Sequence, residues 1–348
     1  MNVVQSSVDL PPVQNLLALE TATQSIELIH NQPVIITGMH KSGTSLTASV
    51  LQAAGVHIGN NLMGPGLGNR LGHFEDMDIY ALHCNILTSH GIHRDGWTKQ
   101  PNVAVPQSFA GRIQDFLSIR REQKGLWGWK EPRTTLFLDF WKQALPDAKF
   151  VFVYRKPWEV IDSLYRRGDR TFVEHPITAV ETWLSYNTAI LDFYQRHRAD
   201  CFLFDVENYR NHEESILHRL SKKLGITLTA TSQTKYQPGE LQSITEDAKR
   251  SDALNHYFPE ATRLYEALRA TADMPHESYS YAEIDSEMGC YGYLQKWAYT
   301  SRTQKEKEIT PKEKQQADIL FQQLEQHLAA SAASVSMHQQ IPADSTAV

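Results

Sequence analysis

A lysine inside a short polar turn, between a β-branched run and the start of a helix, is placed to meet an anion. Lys41 has that setting. Val34, Ile35 and Ile36 read as a strand that stops at Gly38. The chain then passes through His40-Lys41-Ser42-Gly43-Thr44-Ser45, and Leu46-Thr47-Ala48-Ser49-Val50-Leu51 reads as a helix. The first turn of a helix presents unpaired N–H groups and the positive end of its dipole, so a phosphate-like group is the expected guest. Laid on the nucleoside-triphosphate pattern G-x-x-x-x-G-K-[ST], Gly38 and Gly43 take the glycine places and Ser45 the hydroxyl place. Thr44 stands where the lysine belongs, and the cation comes earlier, at Lys41. A cation in the middle of the loop faces a group transferred from a 5′-phosphate more readily than a β/γ-phosphate pair.

A second constellation follows a second apolar strand, Lys149 to Tyr154. Arg155 can fork onto a phosphate, Pro157 suits a first helical turn, and Ser163 can donate from the same helix. A third lies at Trp127-Gly128-Trp129-Lys130-Glu131-Pro132-Arg133, where two cations flank a proline turn beside a strand, as at a strand end that binds ligand. Its tryptophans read equally as core. His83, Cys84, His90 and His93 match no standard zinc spacing and read as packing and surface residues, so no metal is expected.

The stretch Lys41-Ser42-Gly43-Thr44-Ser45 resembles the 5′-phosphosulfate loop of sulfotransferases that use 3′-phosphoadenosine 5′-phosphosulfate (PAPS). Arg155, Pro157 and Ser163 match that family's 3′-phosphate motif in order and spacing. The resemblance spans roughly residues 33 to 224 and looks closest to bacterial members. It implies a P-loop α/β fold: a three-layer α/β/α core with a central parallel sheet and a helical C-terminal extension. It implies PAPS as donor, 3′-phosphoadenosine 5′-phosphate (PAP) as product, and no metal. His40, Lys41, Ser42, Gly43, Thr44 and Ser45 would cradle the phosphosulfate, Lys41 would neutralise the leaving charge, and Arg155 and Ser163 would hold the 3′-phosphate. Asn69, Gly72, His73 and Glu75 resemble the N-x-x-G-[HYF]-x-E segment of bacterial relatives. That makes Glu75 the first candidate for the base that takes the acceptor's proton, with His73 its rival; Glu75 and Asp76 also suit a plain helix start. Trp127 to Arg133 resembles the W-x-x-K-[DE]-P-R segment, implying that Trp129 (or Trp127), Lys130 and Arg133 meet the substrate. The late Arg-Lys-Gly loop of many relatives has no counterpart, and Arg250 is the candidate substitute.

The 348 residues suit one α/β core with an appended helical part. Lys and Arg total 34 against 40 Asp and Glu, a net charge of −6 without a lysine-rich tract, which argues against nucleic acid as the partner. Three widely spaced cysteines imply no disulfide framework and a reducing compartment. No apolar run reaches the roughly 20 residues of a membrane span, and the N-terminus does not read as a signal peptide, so a cytoplasmic protein without stable membrane insertion is expected. The expected organisation is an arm and helix over 1–30, the core over 31–228, a mostly helical part over 229–328 and a disordered tail over 329–348. Thr310-Pro311-Lys312-Glu313 reads as a capping box. The Ala317, Leu320, Phe321, Leu324, Leu328 stripe behind it makes that helix a candidate docking or homodimer surface. The expected function is sulfuryl transfer from PAPS to a hydroxyl, of a carbohydrate or small molecule. An atypical P-loop kinase and a non-catalytic nucleotide-binding protein are the alternatives.

Overall fold

The computed structural model describes residues 32–66, 72–210, 213–229, 247–276, 279–284 and 288–339. The expected N-terminal arm and helix, and Asn69 of the glycine-rich loop, lie outside the described residues. The sheet is formed by β1 (Pro33–Thr37), β2 (Trp127–Lys130), β3 (Lys149–Tyr154) and β4 (Cys201–Asp205), ordered β2-β1-β3-β4 with every pairing parallel. Parallel strands need crossovers, and here these are helical: α1 (Thr44–Ala53), α2 (Met77–Ser89), α3 (Ala110–Arg121) and α4 (Leu138–Ala144) precede β3. Between β3 and β4 run α5 (Pro157–Arg167), α6 (Arg170–Glu174) and α7 (Ile177–Arg196), and α8 (Glu213–Leu224) follows β4.

Alternation along the strands makes the three layers. Val34, Ile36, Val151, Val153, Phe202 and Phe204 pack on one face with α1 and α8 residues such as Leu51 and Leu220. Ile35, Phe150, Phe152, Tyr154 and Leu203 pack on the other with Ile161 of α5 and Ile190 of α7. A sheet buried on both faces needs near-continuous apolar strands, which is what these sequences are.

The extension is α9 (Asp247–Tyr257), α10 (Pro259–Thr271), α11 (Cys290–Glu308) and α12 (Pro311–Gln339). α9 and α10 are separate helices because Pro259 cannot continue the first and instead opens the second. The extension is tied into the core. Asp205 and Met274 are hydrogen-bonded at the sheet edge, N to O at 3.0 Å. Asp162 of α5 accepts from Trp297 Nε1 (3.0 Å) and Ser301 Oγ (2.6 Å) and pairs with Arg250.

The capping box forms as expected, with Thr310 N donating to Glu313 Oε2 at 2.9 Å. The stripe on α12 lies on this chain's own α2: Leu320, Leu324 and Leu328 pack against Met77, Tyr80 and Cys84, while Phe321 is 55% exposed. The helix also runs to Gln339, past Ala329, where the sequence predicts a disordered tail. Two causes are visible: the alanines have high helix propensity, and Ser331 is pinned by Asn85 (2.9 Å) and by Arg112 to its carbonyl (3.0 Å). No described helix is long and apolar enough to cross a membrane.

Candidate active site

The loop between β1 and α1 leaves the sheet at its C-terminal edge, pressed against β3. A Cβ on Gly38 would lie 2.3 Å from the Val153 carbonyl oxygen, so only glycine passes there. Gly43 caps α1 at φ 91°, which favours glycine, and no side chain caps the helix. Lys41 takes a left-handed φ of 67°, and so does Phe74 at 56°; both of these non-glycine residues fall in the site, where strain of this kind collects. Within the loop Ser42 is fully buried, yet its Oγ has no hydrogen-bond partner among the described residues. A buried hydroxyl without a partner costs free energy unless a guest or water meets it.

Burial, then the positive charge of Arg167, lowers Lys41 to about 8. Its ammonium form still dominates at neutral pH.

The second wall is the segment before α2. Lys130, at the end of β2, donates from Nζ to Glu75 Oε1 and to the His73 carbonyl, both at 2.9 Å. Ser45 Oγ donates to that same carbonyl at 2.9 Å, so α1, β2 and this segment share one point. Arg133 Nη1 lies 3.5 Å from Glu75 Oε2. It is bonded to Glu131, while Nη2 reaches Asp95 Oδ1 at 2.9 Å. Glu131 in turn accepts from His83 Nδ1 at 2.6 Å, and His83 Nε2 accepts from Trp141 Nε1 at 3.0 Å. Burial pushes the Glu75 carboxyl up, but Lys130 and Arg133 outweigh it and hold it at about 2. Burial also lowers His73 to about 3, so both candidate bases are unprotonated near neutral pH.

The third wall is the start of α5. Arg155 Nε donates to Glu159 Oε2 at 2.5 Å and Nη1 donates to the Lys41 carbonyl at 3.3 Å. The two anion motifs therefore touch, because β1 and β3 are neighbours in register, Thr37 beside Phe152. Ser163 is half-buried two turns along α5.

Several expected residues are brought together: Lys41, Ser42, Gly43, Thr44, Ser45 and Arg155 at one edge, with His73, Glu75, Lys130 and Arg133 beside them. His40 belongs to the loop, but its ring turns away to sit 4.9 Å from Trp97 and 5.8 Å from Tyr186. Two expectations need correction. Trp129 is fully buried between Phe116 and Trp141, with Nε1 on Thr134 at 3.1 Å, and Trp127 is equally enclosed, so neither can stack on a substrate; a two-faced parallel sheet leaves no open side at β2. Arg250 is buried over the Trp297 ring and paired with Asp162, so it ties the extension down. Lys130 and Arg133 are committed to carboxylates and hold Glu75 in place.

The sequence reading missed Glu159, Asp95 and Trp97. The i,i+4 spacing of Arg155 and Glu159 was a usable signal. Trp97 and Asp95 sit in an irregular loop with no pattern to mark them.

No curated protein sequence matches the chain. Among solved structures, the sulfotransferase domain of a Synechococcus olefin synthase shares 19% identity, over 70% of this chain and 95% of its own, at TM-score 0.38. A sulfotransferase from Alicyclobacillus acidocaldarius shares 15%, over 68% and 95%, at 0.40. One from Mycobacterium avium shares 13%, over 76% and 82%, at 0.47. The sulfotransferase family model matches residues 33–230, more than half of the chain and the stretch that carries all three walls, so this protein belongs to the sulfotransferase family.

Proposed function

We propose that this sulfotransferase moves a sulfuryl group from PAPS to an acceptor hydroxyl, with a carbohydrate as the acceptor class. The observation that carries the donor assignment is the contact of the two anion motifs: Arg155 on the Lys41 carbonyl, beside a buried Ser42 hydroxyl that lacks a partner among the described residues. The residues fit such a donor, since a 5′-phosphosulfate needs the uncapped start of α1 and a cation in the loop, and a 3′-phosphate needs a forked cation nearby.

Bound PAPS supplies the activated sulfuryl group. The loop from Ser42 to Ser45 orients its phosphosulfate end, and Arg155 and Ser163 hold the 3′-phosphate. As the new bond from acceptor oxygen to sulfur forms and the bond from sulfur to the phosphate oxygen breaks, Lys41 balances the charge left on that oxygen. Glu75 accepts the hydroxyl proton. Its depressed pKa makes it a weak base that is ionised at every working pH, and Lys130 keeps its carboxylate aimed.

Calorimetric titration with PAP, ADP and ATP, each with and without Mg²⁺, tests the donor. Tight, metal-independent binding of PAP, weakened roughly tenfold or more by Arg155→Ala, is expected. Preference for ATP with Mg²⁺ would return the chain to the kinase alternative. Glu75→Gln is expected to lower kcat by about 10²–10³ with PAP affinity kept, and unchanged turnover would pass the base role to His73.

A further inference from the structure

His83 is fully buried on α2, and both of its ring nitrogens are committed. Nε2 lies 3.0 Å from Trp141 Nε1, and an indole N–H can only donate, so Nε2 carries a lone pair. The proton of the neutral ring is therefore on Nδ1, which stands 2.6 Å from Glu131 Oε2 and donates to it. Burial outweighs the pull of Glu131 and keeps the ring neutral. Phe137 stacks on the ring at 4.6 Å between centroids and holds its plane.

Glu131 passes this fixation on. Its Oε2 also accepts from the Thr134 amide at 3.1 Å, and its Oε1 takes Arg133 Nη1. The other arms of Arg133 are held as well: Nε donates to the Arg94 carbonyl and Nη2 to Asp95 Oδ1, both at 2.9 Å, with the guanidinium 4.8 Å over the Tyr80 ring. The result is an uneven clamp on Glu75. Lys130 Nζ is on Oε1 at 2.9 Å, whereas Arg133 Nη1 stops 3.5 Å from Oε2, beyond the usual length of a charge-assisted hydrogen bond. A base needs one oxygen left for the hydroxyl it serves, and an oxygen fully bonded to a guanidinium is a poor proton acceptor.

We infer that His83 and Glu131 are positioning residues: by keeping Arg133 Nη1 on Glu131 they hold it off Glu75 Oε2 and leave that oxygen for the acceptor's proton. This rests on the sulfuryl-transfer reading, in which Glu75 is the base, and adds to it the oxygen that acts and the buried pair that keeps it open. Oε1 stays with Lys130, which aims the carboxylate. The effect of His83 passes entirely through Glu131 and Arg133. Without its N–H, Glu131 Oε2 keeps only the Thr134 amide, the carboxylate turns, and Arg133 Nη1 is released to the nearest other carboxylate oxygen, Glu75 Oε2.

Three variants of the full chain test this. His83→Phe keeps a stacked ring and removes the N–H, and His83→Asn places an amide N–H where Nδ1 stands. Glu131→Gln removes the charge that holds Arg133 and serves if His83→Phe does not fold. In crystal structures, Arg133 Nη1 is expected within about 3 Å of Glu75 Oε2 in His83→Phe and in Glu131→Gln, and in its parental place in His83→Asn. Nitrogen NMR of the parent imidazole at neutral pH is expected to show a neutral ring protonated on Nδ1. In PAP release from PAPS with methyl glucoside as acceptor, His83→Phe is expected to lower kcat about 10- to 100-fold with KM for PAPS unchanged, and His83→Asn to recover most of that loss. A merely structural role would lower stability in both His83 variants and leave their kcat alike. A ring protonated on Nε2, an Arg133 that keeps its place in both His83→Phe and Glu131→Gln, or equal kcat in His83→Phe and His83→Asn overturns the proposal. Failure of PAP to bind in the donor titration would remove the reading underneath, while the crystal comparison and the nitrogen spectrum decide the clamp without any turnover.

Discussion

Lys41 carries a cost in backbone strain and another in burial, and a bound anion would offset both. Its φ of 67° is unfavourable for a side chain with a Cβ, and burial with the charge of Arg167 lowers its pKa to about 8. The sign is direct: the ammonium is the useful form, so kcat/KM should fall as pH rises through about 8. Lys41→Ala is expected to lower kcat about 10²–10³ at pH 7 with PAP binding within a few fold of the parent. In Lys41→Arg any remaining activity should show no loss near pH 8, because a guanidinium does not titrate there. A pH profile of the three proteins decides it, and an unchanged limb in Lys41→Arg would assign the titration to another group. Glu75 is the complement: its charge is fixed by Lys130 at 2.9 Å, so the carboxylate is always available and Lys130 is never left alone in a buried place.

At the scale of elements, the site exists because β1 lies between β2 and β3. Each neighbour ends in a cation that faces the loop leaving β1: Lys130 from β2 and Arg155 just past β3. Gly128 keeps β2 close, since a Cβ there would lie 1.9 Å from the Val34 carbonyl oxygen, its register partner. Gly128→Ala must therefore push the two strands apart and displace Lys130 two residues on. A loss of ~3 kcal/mol in stability is expected, with kcat falling further than a change of stability alone would cause. Denaturant unfolding beside steady-state kinetics measures both, and a variant of parental stability would mean the strand pair gives more easily than its contacts suggest.

For the whole molecule, buried carboxylates pull in opposite directions with pH. Asp205, at the end of β4, is pushed up to about 7 by burial, with the charges of Glu207 and Glu159 adding, while the Glu207 amide at 2.9 Å only partly offsets it. A carboxyl whose folded pKa is raised destabilises the fold fully above that value, and the penalty fades as pH falls from about 7 toward 4. Glu75 does the reverse. Its stabilisation is complete above about 4.5 and is lost as pH falls toward 2. The buried imidazoles of His40, His73 and His83 are held neutral and penalise the fold as pH falls below about 6.5, so the carboxyl effect stands by itself only between about pH 6.5 and 8, where melting temperature should fall by on the order of 1–2 °C. Asp205→Asn should flatten the slope between pH 6 and 8. A parent chain whose melting temperature rises steadily from pH 6.5 to 8 would contradict this.

The local chemistry was legible in the sequence because it is written in contiguous residues. A β-branched run, two glycines at a fixed spacing and a cation between them can fold in few ways, so the loop from Gly38 to Ser45 and the turn from Arg155 to Ser163 stand where their spacing puts them. The capping box at Thr310 is local in the same sense. Exposure is a different matter, since it depends on what packs from elsewhere in the chain. Trp129 and Trp97 are the same residue type in polar-flanked stretches, yet the two-sided sheet encloses the first, and the corner between α5 and α6 brings the second to His40. Arg250 likewise had a free choice of partners in the sequence, and the packing of α9 and α11 on α5 gave it Asp162. Spacing along the chain determined which residues can meet an anion; only the tertiary structure decided which aromatic and polar side chains stand beside them, because those contacts join residues dozens of positions apart.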